Sequence, residues 1–239
     1  MSGVLKNRVY SHIYEKLSNG ELLPGDRLSG RALAKEIGVS PIPVRDAISQ
    51  LRNEGFIETR RGGGAFVPEP SYEDLMDIYD QREALECHAV ERVATSPHET
   101  DLADLDNCVE ELSQVIESLD TTRPPYHDST LLDRWIRADA AFHDTLMRAA
   151  GNQRSLKTVL NLRIKTRIFG TQVRYKPCGS LRRTHEEHRR IVEAIRNHDV
   201  DGARAAMSEH IHSGCRAILE AHRRKRVSMD DGRSVSEEE

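Results

Sequence analysis

Leu33-Ala34-Lys35-Glu36-Ile37-Gly38-Val39-Ser40-Pro41-Ile42-Pro43-Val44-Arg45-Asp46-Ala47 reads as two helices separated by a turn, and it decides the fold of the first part of the chain. Leu33, Ala34 and Ile37 recur at helical spacing behind Ser29, a residue type that caps helix N-termini. Gly38-Val39 makes a tight turn, and Ser40 caps the next helix with Pro41 at its first position, where a missing N–H is harmless. That helix runs to about Glu54, with Val44, Ile48 and Leu51 inward, and Gly55 stops it. Upstream, Val9, Ile13 and Leu17 with Tyr10 and Tyr14 mark an amphipathic helix from Val4 to Leu17, ended by Asn19-Gly20 and Pro24-Gly25-Asp26. Downstream, the β-prone runs Phe56-Ile57-Glu58-Thr59 and Ala65-Phe66-Val67 flank Arg60-Arg61-Gly62-Gly63-Gly64, a hairpin with a flexible basic tip. Helix, helix, tight turn, helix, hairpin is a winged helix-turn-helix. A phosphate-cradling loop is the alternative reading of the glycines, and it is disfavoured because no Lys-Ser/Thr follows them and a strand rather than a helix comes next.

In a helix-turn-helix the second helix enters the major groove with its N-terminal residues at the base edges. Here those residues are Ser40, Pro41, Ile42, Pro43 and Arg45. Arg45 is the guanidinium able to pair bidentately with a guanine, and Ser40 can hold a phosphate. Arg31 and the wing residues Arg60, Arg61, Gly62 and Gly63 are placed for phosphate or minor-groove contacts. Charge agrees with this division. Residues 1–68 carry ten basic against seven acidic side chains, whereas 69–239 carry 25 against 32, so +3 is followed by −7 within a net charge of −4.

Pro68 and Pro70 mark a boundary, after which the periodic segments are helical. The expected spans are about 71–95, then Ser96-Pro97-His98-Glu99 as a capping box opening a helix to about 119, and 129–150, 153–174, 181–197 and 200–226. The expected organisation is 1–68 for DNA, 69–226 for an all-helical domain, to which the resemblance described below assigns sensing and dimerisation, and 227–239 for an acidic disordered tail. The fold class is mainly α: a winged helix-turn-helix followed by an all-α antiparallel helical bundle. No apolar run approaches the roughly 20 residues of a membrane span and the first residues lack a signal-peptide stretch, so a cytoplasmic protein with no membrane partner is expected. Cys87, Cys108, Cys178 and Cys215 lie far apart with no Cys-x-x-Cys pair, and read as reduced packing thiols.

Three stripes of the helical half carry polar residues where apolar ones belong. Ile136, Asp139, His143, Leu146 and Ala150 share one helix face; His188 lies among Thr184, Ile191 and Ile195; His210 lies among Ala203, Met207, Gly214 and Ala217. One inward carboxylate with three inward imidazoles suits a divalent transition metal with a position open for another ligand. Three satisfied core histidines account for the same spacing. His185 and His212 fall on other faces.

The N-terminal domain resembles the GntR family of bacterial transcription regulators. The resemblance rests on Leu23-Pro24-Gly25-Asp26-Arg27-Leu28, Leu33 to Ser40, Pro43-Val44-Arg45-Asp46-Ala47, Leu51, Glu54-Gly55-Phe56-Ile57 and Gly64-Ala65-Phe66-Val67. Pro41 stands where the family usually has an arginine, and Gly30 where it usually has an acidic residue, so the operator need not match the family's common half-site. The helical half resembles the FCD domain of the FadR-like subfamily, through Asp139-Ala140-Ala141-Phe142-His143, Ala149-Ala150-Gly151-Asn152, Glu187-His188-Arg189 with Glu193-Ala194-Ile195, and Ala203-Arg204-Ala205-Ala206-Met207 with His210. That resemblance implies a metal on Asp139, His143, His188 and His210, zinc ahead of nickel or manganese. It also implies that Arg82, in Tyr79-Asp80-Gln81-Arg82-Glu83-Ala84-Leu85-Glu86, faces the effector cavity and holds a carboxylate. The function implied is a homodimeric, metabolite-responsive regulator, more often a repressor, that binds double-stranded operator DNA and answers to a small organic acid at the metal. Direct metal sensing is the alternative, and a metal-dependent hydrolase or lyase a more distant one.

Overall fold

The structure, a computed structural model, describes residues 2–119, 129–170 and 178–234. The chain divides into two units. One comprises residues 1–73 with 163–172, and the other 74–162 with 173–239.

In the first unit, α1 (Ser2–Asn19) buries Val9, Ile13 and Leu17, three residues four apart that form one continuous stripe. A short strand, β1 (Arg27–Leu28), leads to α2 (Gly30–Ile37), where the Ser29 hydroxyl accepts a hydrogen bond from the Ala32 N–H at 3.3 Å. Gly38, at φ 73°, ends α2 in the left-handed conformation and donates its N–H to the Ala34 carbonyl, as a helix C-terminus requires. The next helix, α3 (Pro41–Asn53), begins with Ser40 in an extended conformation, but the Ser40 side chain makes no cap bond, and the turn is set by Pro41 instead. Two further strands, β2 (Glu58–Thr59) and β3 (Ala65–Phe66), form the hairpin, with Gly62, Gly63 and Gly64 all at positive φ in its tip. The sheet has the order β1-β3-β2, both pairings antiparallel, with Arg27 and Glu58 each opposite Phe66. The hairpin was expected; its third strand was not, because a two-residue strand is too short to show an alternating pattern. Leu33, Val44, Leu51, Phe56 and Val67 close the core over α1.

The second unit is built from α4 (Tyr72–Thr95), from Asp74 onward, then α5 (Glu99–Glu117), α6 (Ser129–Ala149), α7 (Gln153–Gly170), α8 (Cys178–Arg196) and α9 (Val200–Ser234). Residues 163–170 of α7 belong to the first unit, where Ile168 is buried in its core with Ile164 and Phe169 packed beside it. Leu112, Val115, Ile116, Trp135 and Leu181 form a core shared by α5, α6 and α8.

Two helix ends depart clearly from the sequence reading. The capping box is not formed. His98 is the N-cap of α5 without a side-chain bond, and Glu99 and Asp101 occupy the first turn, where the positive end of the helix dipole favours carboxylates. The sequence places residues 227–234 in a tail; the structure continues α9 through them to Ser234, no proline interrupting 200–234, while 235–239 lie outside the described residues. The expected end of the fourth sensing helix, 171–174, lies outside them too. No described helix is long and apolar enough to cross a membrane.

Candidate metal centre and DNA-reading face

Asp139 and His143 lie one turn apart on α6, so their side chains leave the same face. His188 on α8 and His210 on α9 meet them, and one ligand atom from each of the four residues lies within 4.8 Å of the others. The three imidazoles are buried and Asp139 is half-buried. His143 Nε2 stands 3.1 Å from His210 Nε2 and 3.4 Å from His188 Nε2, and His188 Nε2 stands 3.7 Å from Asp139 Oδ1.

The protonation pattern of this cluster follows from what stands behind it. His143 Nδ1 bonds to Glu86 Oε2, and His210 Nδ1 bonds to Glu187 Oε2 at 3.0 Å. A carboxylate only accepts, so both Nδ1 atoms carry the proton, and in the neutral rings both Nε2 atoms present lone pairs. Two lone pairs 3.1 Å apart repel unless a proton or a cation lies between them. Metal–nitrogen bonds of about 2.0–2.1 Å give nitrogen–nitrogen edges of roughly 3.0 Å at right angles and roughly 3.4 Å in a tetrahedron, and the two observed separations fall in that range. One oxygen and three nitrogen donors therefore fit a divalent transition ion.

Arg82 and Glu86 are one turn apart on α4 and both are buried. Arg82 Nε donates to Glu86 Oε1 at 2.8 Å, and the guanidinium lies over the Tyr79 ring at 5.2 Å from its centre. Burial works against the charge of Arg82. Glu86, Tyr79 and Asp139 outweigh it and hold the group cationic. Arg82 thus reaches the cluster through Glu86, whose two oxygens serve Arg82 and His143 separately.

Sequence reasoning did not single out Glu86 and Glu187. For Glu86 a signal existed, since Arg82 and Glu86 interrupt the buried stripe that continues through Leu75, Tyr79, Val90 and Val93. Glu187 adjoins His188 in a charged run and carried none. His212 is exposed, bonds the Ser208 carbonyl at 2.9 Å and points away from the cluster, as its face indicated. Cys87 and Cys215 are buried, and burial pushes the Cys87 thiol up to about 12, out of the reactive range.

On the first unit, Arg31, Ser40, Pro41, Ile42 and Arg45 are exposed, whereas Pro43 turns inward. A cleft of about 410 Å³ lies against α2 and α3, with Gly30, Arg31, Pro41, Ile42, Val44 and Arg45 in its wall. Arg61, Gly62 and Gly63 are exposed at the wing tip. Arg60 is engaged within the chain: it donates to Glu58 at 2.7 Å and Glu69 at 3.1 Å, and stacks over Phe66. A phosphate contact by Arg60 requires it to leave at least one of these carboxylates.

Residues 5–67 match the gntR family of bacterial regulatory proteins, and residues 77–213 match the FCD domain family. The chain belongs to the GntR family. It is a DNA-binding transcription regulator of the GntR/FCD type, and its relatives are regulators rather than enzymes. This GntR-family chain is similar to the uncharacterized HTH-type transcriptional regulator YdhC of Bacillus subtilis, 28% identical over 206 residues that cover 86% of this chain and 87% of the relative. It is similar to the gluconate operon transcriptional repressor of the same organism, 28% identical over 212 residues that cover 86% and 79%. Among solved structures it is similar to McbR/YncC of E. coli, with a TM-score of 0.75 and 22% identity over 91% of this chain and 98% of that one, a likeness of fold.

Proposed function

We propose that this GntR-family regulator is a repressor whose hold on its operator is set by a small organic acid, bound at a divalent metal on Asp139, His143, His188 and His210. The observation that carries the proposal is the convergence of three Nε2 atoms, two of them 3.1 Å apart and backed by carboxylates at Nδ1. Zinc ranks ahead of nickel and manganese as the occupant. A bound ion supplies a Lewis-acidic anchor for a carboxylate. The chain's own residues do the rest. Glu86 and Glu187 hold two imidazoles in one tautomer and orientation. Arg82, kept cationic in a buried setting, offers the guanidinium for which an incoming carboxylate competes with Glu86.

Residues 1–68 are the DNA-binding domain in this reading, 69–226 the effector-binding and dimerisation domain. Arg31, Ser40, Pro41, Ile42, Arg45, Arg60, Arg61, Gly62 and Gly63 form the contact set, without Pro43, which is buried, and a homodimer meets pseudo-palindromic half-sites about one helical turn apart or closer. The name of the gluconate operon repressor supports repression as the mode of action. Binding chromosomal DNA places the protein in the cytoplasm. The acid works as a switch only if it binds the operator-competent and operator-incompetent forms with different affinities.

Thermal-shift screening of small organic acids, with and without chelator, tests the proposal. An acid that raises the melting temperature only of metal-loaded protein, loses that effect in Arg82→Ala and releases selected operator duplexes is the expected result. An acid that acts equally in chelator removes the metal from the effector site. Release of operator by chelation alone, with no acid, makes the metal itself the signal.

A further inference from the structure

Ile42 is 57% exposed at the second position of α3, next to exposed Pro41, and both line the cleft whose wall also holds Arg31 and Arg45. A single exposed isoleucine is ordinary on a protein surface. This one sits in the first turn of the helix read as the DNA-reading element, in a cleft that two guanidiniums also line, and the other exposed large apolar residues described (Val4, Leu5, Leu23 and Tyr72) lie on neither α2 nor α3. The side chains at 41 and 42 neither donate nor accept a hydrogen bond, and Pro41 and Pro43 lack an N–H. Opposite them, a guanine, cytosine or adenine edge is stripped of water and gains no partner. The one apolar group that a base edge shows in the major groove is the 5-methyl of thymine.

We infer that Ile42 is a specificity-determining residue of the DNA-reading face and selects a thymine through its 5-methyl group. The inference rests on the reading in which the start of α3 enters the major groove. Arg45 follows three residues later, about 4.5 Å further along the helix axis, and base pairs stack about every 3.4 Å. The selected thymine therefore lies within about two base pairs of the pair read by Arg45.

Duplexes that the full chain selects from a random pool provide the test. Each thymine of the selected half-site is replaced in turn by deoxyuridine, which removes the methyl and keeps the pairing. Affinities are measured for the wild type, Ile42→Ala, Ile42→Arg and Arg45→Ala. One deoxyuridine, within two base pairs of the Arg45-dependent pair, weakens wild-type binding about fourfold, the worth of one buried methyl-sized group. Ile42→Ala binds the thymine and deoxyuridine duplexes alike, and Ile42→Arg shifts the selected base to guanine. The side chain is exposed, so these variants keep the fold. A half-site without thymine in that window, a wild type indifferent to the methyl, or a thymine preference that survives in Ile42→Ala overturns the inference. Should Arg45→Ala bind the selected duplexes as tightly as the wild type, the placement of α3 in the groove fails and the inference fails with it.

Discussion

Glu86 serves two partners at once, the Arg82 guanidinium through one oxygen and the His143 ring through the other, with no exposed surface of its own. Glu86→Gln keeps the size and a hydrogen-bonding group but weakens the acceptor that fixes the His143 tautomer. Competition with a chromogenic chelator should show metal affinity lower by 10- to 100-fold while the protein stays folded; unchanged affinity would mean that His143 is oriented by other contacts. Lys165 offers a pH-dependent case. Burial lowers its pKa, with Glu54 opposing, so the folded chain releases this proton before the unfolded chain does. Between the lowered value and the ordinary lysine range the unfolded state binds more protons, and stability rises with pH. Lys165→Met should remove that rise and, since it no longer holds a half-buried charge, should raise stability at neutral pH. Urea unfolding at several pH values reads both effects. The four clustered donors were legible because each sits in an otherwise apolar helical stripe. Their outer partner Glu187 was not, because a glutamate in the charged run Glu186-Glu187-His188-Arg189-Arg190 looks like any solvated helix face until tertiary packing buries it.

At the scale of elements, periodicity located the helices and failed at their ends. The segment Ser96-Pro97-His98-Glu99 has the composition of a capping box, yet α5 starts at Glu99. Ser96 is exposed and outside the helix. Ser96→Ala should therefore leave stability within about 0.5 kcal/mol, as an ordinary surface change does, whereas loss of a working cap costs about 1 kcal/mol. Gly38 is the opposite case. Its φ of 73° ends α2 in the left-handed region, and a Cβ there meets no neighbour within 4 Å, so Gly38→Ala carries the backbone strain alone. A loss of about 1–2 kcal/mol is expected from thermal unfolding. A much larger loss would show that the turn between α2 and α3 rearranges. The strand Arg27–Leu28 was illegible because its pairing with Phe66 and Ala65 is a long-range choice that two residues cannot announce.

For the whole molecule, the opposite charges of the two parts of the sequence assign the tasks: a basic N-terminal part for a polyanion and an acidic helical part that avoids it. Operator affinity should fall steeply with salt, and Arg31→Ala should weaken binding across sequences while reducing the salt slope by about one unit, as loss of one phosphate contact does. An unchanged slope would remove Arg31 from the phosphate contacts. The division of labour places the whole regulatory proposal on the cluster in the helical unit. Metal content per chain tests that cluster most directly: the full chain and a His143→Ala, His188→Ala variant are offered zinc, nickel and manganese in turn, freed of excess and analysed. The account predicts about one tightly held ion per wild-type chain and essentially none in the folded variant. A wild type that retains no metal, or a variant that retains as much, would contradict it.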